Sequence, residues 1–205
     1  MTTSLDTVYT LDAEPSDLDA PPGSLLNEVI AQGASSRWDV HRFAKYALEA
    51  EAGLHLLQST ASALEVEDGA VFGVQTWEGV PRRASSVALC VGTFLRARLE
   101  IGSVVERHGR LSEMAYDDLY EDLSAHGFAF EELELAAGAQ AGSLPHVVRS
   151  VAFARGEWSE ESLELSRLSG LYAAGACVSR AEGPPDIVLC VSEGTRLGEQ
   201  LASRG

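Results

Sequence analysis

Two short segments of this 205-residue chain carry most of its net negative charge. Residues 1–36 hold six acidic residues and no basic one, and residues 110–135 hold eight acidic residues and one arginine. The formal net charge of the chain is −16, so the remaining residues are nearly balanced. Because charged side chains are rarely buried unless they are paired, we expect both segments at the surface and a core built from the rest of the chain.

Composition places the chain among globular proteins. A length of 205 residues and a hydrophobic content of 45% are enough for one core. The three cysteines, Cys90, Cys177 and Cys190, form no Cys-x-x-Cys pair, which argues against a disulfide framework or a zinc site. The chain begins without a signal sequence, and its longest apolar run, residues 87–95, is too short to span a membrane. These features predict a reducing, cytoplasmic setting and no membrane partner.

The N-terminal part differs from the rest. Residues 1–23 contain three prolines and alternate acidic with apolar side chains, a composition that cannot bury enough surface to fold alone. We expect an acidic leader over 1–23, either mobile or docked, followed by a single globular domain over 24–205.

A long amphipathic helix is predicted after the leader. Ser36 and Asp39 have the spacing of a capping box. Apolar residues then recur at intervals of three and four from Val40 to Leu64, which predicts a helix over about 38–64. Its apolar face could pack on the core of the same chain or pair with a second copy to form a homo-oligomer.

Two segments have the pattern of β-hairpins. The first joins 70–77 to 85–92 and the second joins 175–181 to 186–194, each through a Glu-Gly-x-Pro turn. They predict an α+β fold, with an antiparallel sheet from two β-hairpins surrounded by four or more helices. An all-α bundle is the alternative, because periodicity does not separate a buried strand from a buried helix.

The densest group of chemically active side chains lies in the segment after Tyr116. Helical geometry turns Asp118 and Glu121 away from the apolar stripe of their own helix. We predict a surface that contacts a partner, made of four carboxylates: Asp117, Asp118, Glu121 and Asp122. An ordinary solvated surface is one alternative. A metal site formed by Asp118, Asp122 and His126 is the other, because hard divalent cations prefer oxygen ligands.

The chain contains none of the common catalytic or nucleotide-binding motifs, among them Gly-x-Gly-x-x-Gly. Its acidity argues against nucleic acid, which needs clustered basic side chains. The two arginine clusters, Arg82–Arg83 and Arg96–Arg98, are too small to reverse that balance. The sequence therefore predicts a non-enzymatic protein-protein interaction module, such as an inhibitor, immunity-type protein, chaperone or adaptor, with a basic protein partner and no cofactor. A metal-dependent enzyme or small-molecule binder, and a structural subunit that oligomerises through the helix over 38–64, are the alternatives.

Overall fold

The computed structural model describes residues 15, 18–110, 113–137, 145–183 and 185–204. Residues 1–14, 16 and 17, which make up most of the predicted leader, lie outside this set. The described residues form two compact units. Of the described residues, the sheet unit contains those within 59–183, and the helical unit contains residues 15, 18–58 and 185–204.

Two helices come first in the chain, and strands follow them with two further helices among and after them. In chain order they are α1 (Leu25–Ala31), α2 (Arg37–Ala50), β1 (Ala61–Glu67), β2 (Ala70–Thr76), β3 (Pro81–Arg83), β4 (Val87–Leu89), β5 (Arg98–Ile101), β6 (Val104–Glu106), β7 (His108–Arg110), β8 (Glu113–Met114), α3 (Asp118–Ala125), β9 (Phe130–Ala137), β10 (His146–Phe153), β11 (Leu171–Ala173) and α4 (Ile187–Ala202). A short 3₁₀ helix follows β11 at Gly175–Cys177.

The helical unit packs α1, α2 and the start of α4 around a small apolar core. Val29, Val40 and Ile187 are buried at its centre. Side chains cap each helix at its N-terminus, since Ser24, Ser36 and Asp186 accept hydrogen bonds from amides of the first turn. The capping interaction predicted between Ser36 and Asp39 is present, with the Asp39 amide 3.1 Å from the Ser36 hydroxyl.

The helix predicted over 38–64 is wrong beyond Ala50, where α2 ends. Gly53 adopts a φ of 84°, a left-handed conformation that glycine tolerates and that a continuing helix cannot accommodate. Leu57, on the predicted stripe, is 54% exposed, whereas Leu64 is buried as part of β1. The continuous apolar surface that was expected to join two copies is therefore not formed.

The second predicted hairpin is also wrong, because residues 186–194 form the first half of α4. The Asp186 carboxylate accepts a hydrogen bond from the Leu189 amide at 2.8 Å and starts the helix. Ile187, Val188 and Val191 then lie on one helical face and pack into the helical unit. An apolar run of this kind suits a strand as well as a helix, and the N-terminal cap decides between them.

The sheet unit contains four separate sheets instead of one. β1, β2 and β3 form an antiparallel sheet in that order, and a four-stranded antiparallel sheet has the order β6-β5-β10-β9. β4 pairs in parallel with β11, far along the chain, and β7 pairs with β8. The fold is therefore a mixed α/β arrangement, and both the α+β prediction of one sheet from two hairpins and the all-α alternative are wrong. No helix among the described residues is long and apolar enough to cross a membrane.

An ion pair with a buried carboxylate holds the loop after β10. Glu157 is 5% exposed, and Arg167 donates two hydrogen bonds to its carboxylate at 2.6 and 2.7 Å. The same carboxylate accepts a hydrogen bond from the amide of Ala129, which immediately precedes β9. These hydrogen bonds favour the ionised carboxylate and lower the pKa of Glu157, although its burial acts in the opposite direction. The hydrogen bond from Arg167 is the largest cause.

We predict that Glu157→Gln lowers the free energy of unfolding by about 1–3 kcal/mol, because it weakens three charge-assisted hydrogen bonds. Urea denaturation at neutral pH measures the change. The control is Glu161→Gln, which alters an exposed carboxylate nearby and should leave stability within about 0.5 kcal/mol of wild type. Equal effects of the two substitutions would contradict the structural role of Glu157.

Candidate functional site

An exposed tryptophan stands at the turn between β2 and β3. Trp77 is 63% exposed, although its amide is anchored by a 2.9 Å hydrogen bond to the carbonyl oxygen of Thr60. The turn is closed by a hydrogen bond from the Gly79 amide to the Thr76 carbonyl at 2.8 Å. A hydrogen bond from the hydroxyl of Ser59 lowers the pKa of Glu78, the next residue, to about 2. The backbone beneath the indole ring is thus fixed on both sides.

A tyrosine from the segment before α3 contacts this tryptophan. The ring centroids of Trp77 and Tyr116 are 6.1 Å apart, with 34° between the ring planes, and Tyr116 is 42% exposed. On one side of Tyr116, the amide of Ala115 donates to the carbonyl of Arg107 at 2.8 Å. We call Trp77 and Tyr116 the aromatic pair. It presents two ring surfaces to solvent from an ordered backbone.

The residue after Tyr116 forms the strongest ion pair of this surface. Arg98, at the start of β5, donates to both carboxylate oxygens of Asp117, with distances of 3.1 and 2.7 Å. The Asp117 side chain is only 15% exposed. The hydrogen bond from Arg98 is the main cause that lowers the pKa of Asp117. This bidentate geometry holds the segment before α3 against β5.

Two further arginines surround the same carboxylate. Arg107 is 70% exposed and lies 3.9 Å from Asp117, a distance that leaves its guanidinium free to reorient. The charges of Arg107 and Arg96 both help to lower the pKa of Asp117. Arg96 is exposed and lies over the ring of Tyr120, 5.6 Å from its centroid. We call Asp117 with these three arginines the arginine cluster, in which Arg98 and Arg107 contact the carboxylate and Arg96 acts on it through its charge.

The edge strand of the first sheet adds two more basic side chains. Arg82 and Arg83 are exposed on β3, which pairs with β2. At Gly73, opposite Arg83, a Cβ atom would overlap the carbonyl oxygen of Arg82. Glycine at position 73 therefore allows the backbone of β3, which carries these two arginines, to lie close to β2.

The acidic residues predicted from sequence divide into two groups. Asp118 and Glu121 are exposed on α3, whereas Asp117 and Asp122 are engaged within the fold. Asp122 accepts a hydrogen bond from the amide of Leu64 at 2.9 Å, which links α3 to β1. That Asp118 and Glu121 contact a partner stays a prediction.

The metal alternative finds no support in the described geometry. His126 Nε2 lies 3.9 Å from the Asp122 oxygen that also accepts from Leu64. Across the described ranges, no group of three His, Cys, Asp or Glu side chains is arranged to hold a metal ion.

The aromatic pair and the arginine cluster are adjacent, because Tyr116 and Asp117 are consecutive residues. Exposed aromatic rings stack on nucleic-acid bases, and guanidinium groups bind phosphate. Sequence patterning did not single out Trp77, Tyr116 or Arg107 as functional. Arg96 and Arg98 are close in sequence and form a visible basic cluster. Arg107 joins this cluster only because Asp117, from another part of the chain, lies beside both.

Comparison with known proteins identifies relatives of the chain. A family model described as glucose inhibited division protein A (GIDA) matches residues 30–143. That range includes every member of the aromatic pair and of the arginine cluster. The crystal structure of the GidA-related protein from Thermus thermophilus has a TM-score of 0.84 and 44% sequence identity, covering 98% of this chain and 85% of that one.

Curated relatives are much longer than this chain. The tRNA uridine 5-carboxymethylaminomethyl modification enzyme MnmG of Chlamydia trachomatis is 33% identical over 144 residues, which are 66% of this chain and 23% of the relative. The enzyme of the same name from Bacteroides thetaiotaomicron is 36% identical over 87 residues, or 42% of this chain and 14% of the relative. The matched part of this chain therefore spans less than a quarter of the length of these relatives.

These relatives correct three predictions made from the sequence. The non-enzymatic module is wrong, since the curated relatives are enzymes, and adaptor or inhibitor is therefore the wrong description. The exclusion of nucleic acid is also wrong, because those enzymes are named for tRNA. Total charge was misleading, since it averages over the chain and does not reveal a local arginine cluster.

We predict that Asp117→Asn lowers the free energy of unfolding by about 1–3 kcal/mol at neutral pH, because it removes the charge that Arg98 and Arg107 face. The folded-state pKa of Asp117 lies below its ordinary value of 3.8. The stabilisation by the ionised group is therefore present above pH 3.8 and is lost as pH falls through the lowered pKa.

Urea unfolding of wild type and variant across this pH range tests the prediction. The difference between them should be largest near neutrality and should shrink in acid. Asp118→Asn, at an exposed neighbouring position, serves as the control and should change stability little. A difference that does not depend on pH would contradict the assignment to the Asp117 charge.

Proposed function

The chain belongs to the glucose inhibited division protein A family, and we propose that it acts in the modification of uridine in tRNA, with the sheet unit binding the RNA. Such a role would place it in the cytoplasm. The observation that carries the proposal is the position of the aromatic pair beside the arginine cluster, both inside the family-matched range.

Within the cluster the arginines have different tasks. Arg98 is committed to Asp117 through two hydrogen bonds and is only 31% exposed, so it positions the segment before α3. Arg107 makes only a 3.9 Å ion pair and is 70% exposed, so it can turn to a phosphate at little cost. We assign the phosphate contact to Arg107.

The net charge of −16 limits the strength of this binding. Acidic side chains elsewhere repel the RNA backbone at low ionic strength, while the arginine cluster attracts it over a range of about 10 Å at 0.1 M salt. Only a few phosphates can be neutralised by so few arginines. We therefore expect weak binding with a small salt dependence, since each phosphate contact contributes a slope of about −0.7 for single strands.

A flavin dinucleotide would suit a redox step in uridine modification, but the described residues do not offer a site for it. The 205 residues contain no Gly-x-Gly-x-x-Gly loop to hold a pyrophosphate. A small cavity of about 160 Å³ beside β9 and β10 is lined by two carboxylates, Glu132 and Glu134, and by two guanidinium groups, Arg96 and Arg149, so it has no net positive charge to bind a pyrophosphate. No chemical step is therefore assigned to a flavin held by these residues.

We predict that Arg107→Ala weakens tRNA binding and lowers the magnitude of the salt slope by about 0.7, because one phosphate contact is lost. Filter binding or fluorescence anisotropy with unmodified tRNA over a range of salt concentrations measures both effects. Thermal unfolding should be almost unchanged, since the ion pair of Arg107 is long and exposed.

The matched control for this substitution is Arg155→Ala. Arg155 is 62% exposed and lies 3.8 Å from Glu131, so it resembles Arg107 in exposure and in its ion pair. It should retain the salt slope of the wild type. Equal losses in the two variants would show that total charge alone governs binding and would contradict the proposed site.

We further predict that Asp118→Asn combined with Glu121→Gln strengthens tRNA binding by about two- to fivefold, because two exposed carboxylates next to the cluster no longer repel phosphate. The gain should disappear at high salt. Binding assays at low and high ionic strength measure the gain. The control variant, Glu160→Gln combined with Glu161→Gln, removes the same amount of negative charge elsewhere in the sheet unit. Weaker tRNA binding by the first variant would contradict the account.

A further inference from the structure

The side of α2 that faces solvent carries two large aromatic side chains. Val40 and Ala44 pack into the core of the helical unit and are 1% and 3% exposed. At about 100° per residue, Trp38 and Tyr46 lie on the opposite side of the helix. They are 62% and 75% exposed, although tryptophan is highly buried on average. The packing of the helical unit therefore gives no reason for aromatic residues at these two positions.

Basic side chains lie between the two rings. Arg42 is four residues from each ring, so Trp38, Arg42 and Tyr46 follow one side of the helix over about 12 Å. Lys45, the only lysine of the chain, lies next to them. The side chains of Arg42 and Lys45 are 59% and 56% exposed. We call Trp38, Arg42, Lys45 and Tyr46 the α2 stripe.

The start of the α2 stripe is held in place by the N-terminal cap of the helix. The Asp39 carboxylate accepts hydrogen bonds from the hydroxyls of Ser35 and Ser36 at 3.2 and 2.8 Å. The indole of Trp38 stacks on the imidazole of His41, with the ring centroids 5.9 Å apart. A ring on a fixed backbone loses little conformational entropy when a partner covers it.

The charge of α2 differs from that of the other helices. It has three basic and two acidic residues, whereas the other described α-helices each have more acidic than basic residues. Arg42 pairs with Asp39 at 3.3 Å and Lys45 pairs with Glu49 at 3.6 Å. Exposed ion pairs of this kind contribute little stability. Both cations can therefore turn to the carboxylates of a partner at little cost.

These features favour a protein helix over RNA and over a membrane. RNA carries a phosphate at every nucleotide, so it would also meet the carboxylates of Asp39 and Glu49. The apolar face of α2 packs in the core of the helical unit and is not available for lipid. A helix can place apolar side chains on the rings and carboxylates opposite Arg42 and Lys45 alone.

We infer that the α2 stripe is the docking surface for an amphipathic helix of another protein, whose apolar face is bordered by aspartate and glutamate. The rings of Trp38 and Tyr46 supply most of the affinity, and Arg42 and Lys45 fix the orientation of the partner. This surface lies in the helical unit and does not depend on the proposed RNA site in the sheet unit.

The test uses three fluorescently labelled synthetic helices of roughly 18 residues, a length that permits an isolated helix. The first has a leucine stripe bordered by glutamate. The second has lysine in place of glutamate, and the third has serine in place of leucine. Fluorescence anisotropy with the 205-residue chain measures their binding. The first peptide should bind at least about 10-fold more tightly than either of the others.

Substitutions then locate the binding surface. Trp38→Ala should weaken binding of the first peptide by about 10- to 100-fold, as expected for an aromatic residue central to an interface. Trp38→Phe should retain most of the affinity. Arg42→Glu combined with Lys45→Glu should reverse the preference towards the lysine peptide, which keeps the test valid if Trp38→Ala does not fold. The control is Val105→Ala, since Val105 is an apolar residue on β6 that is 60% exposed.

The outcomes distinguish a protein helix from other occupants. Loss of binding in Trp38→Ala together with the reversed preference supports the inference. Failure of the first peptide to bind, or equal binding of all three, overturns it. If Trp38→Ala instead weakens binding to tRNA, or to vesicles of phosphatidylcholine and phosphatidylserine, while peptide binding is unchanged, the stripe serves RNA or a membrane and the inference is overturned. The proposed function is tested separately, by the tRNA binding of Arg107→Ala.

Discussion

The candidate surface depends on the bidentate ion pair between Arg98 and Asp117. One partner begins β5, and the other immediately precedes α3, so the pair joins segments that are 19 residues apart in sequence. It places Tyr116 against Trp77 and leaves Arg107 at the edge of the same carboxylate. Without Asp117, three arginines would repel one another, and without Arg98 the carboxylate would be left without its two closest charged hydrogen bonds.

A count of charges does not show how the acidic segment over 110–135 is used in the structure. Several of its carboxylates are used within the fold: Asp117 pairs with Arg98, Asp122 accepts from Leu64, and Glu134 pairs with Arg149. These partners lie 15 to 58 residues away in sequence. No local pattern could reveal them, which is why the segment looked like one acidic surface.

The parts of the fold that local chemistry determines were predictable. The cap at Ser36 and the strand over 70–77, present as β2, follow from side-chain hydrogen bonding and from β-branched and aromatic residues. The pairing of β4 with β11 was not predictable, since it joins segments more than 80 residues apart. Apolar residues in 186–194 fit a strand and a helix equally well, and only the cap at Asp186 distinguishes the two.

The same division applies to the candidate site. The identity of Arg96 and Arg98 as a basic group was visible, and so was the exposure of Asp118 and Glu121 on their helix. The aromatic pair was not, because Trp77 and Tyr116 meet only after β1, β2 and α3 pack together. A site assembled by tertiary contacts from single residues on separate elements leaves no spacing signal in the sequence.

Ultraviolet crosslinking of the chain to unmodified tRNA, followed by mass spectrometry of the linked peptides, tests the central claim most directly. The account predicts that the linked peptides come from the β2–β3 turn with Trp77 and from the segment containing Arg107 and Tyr116. Crosslinks confined to α2 or α4, with none in these two segments, would contradict it.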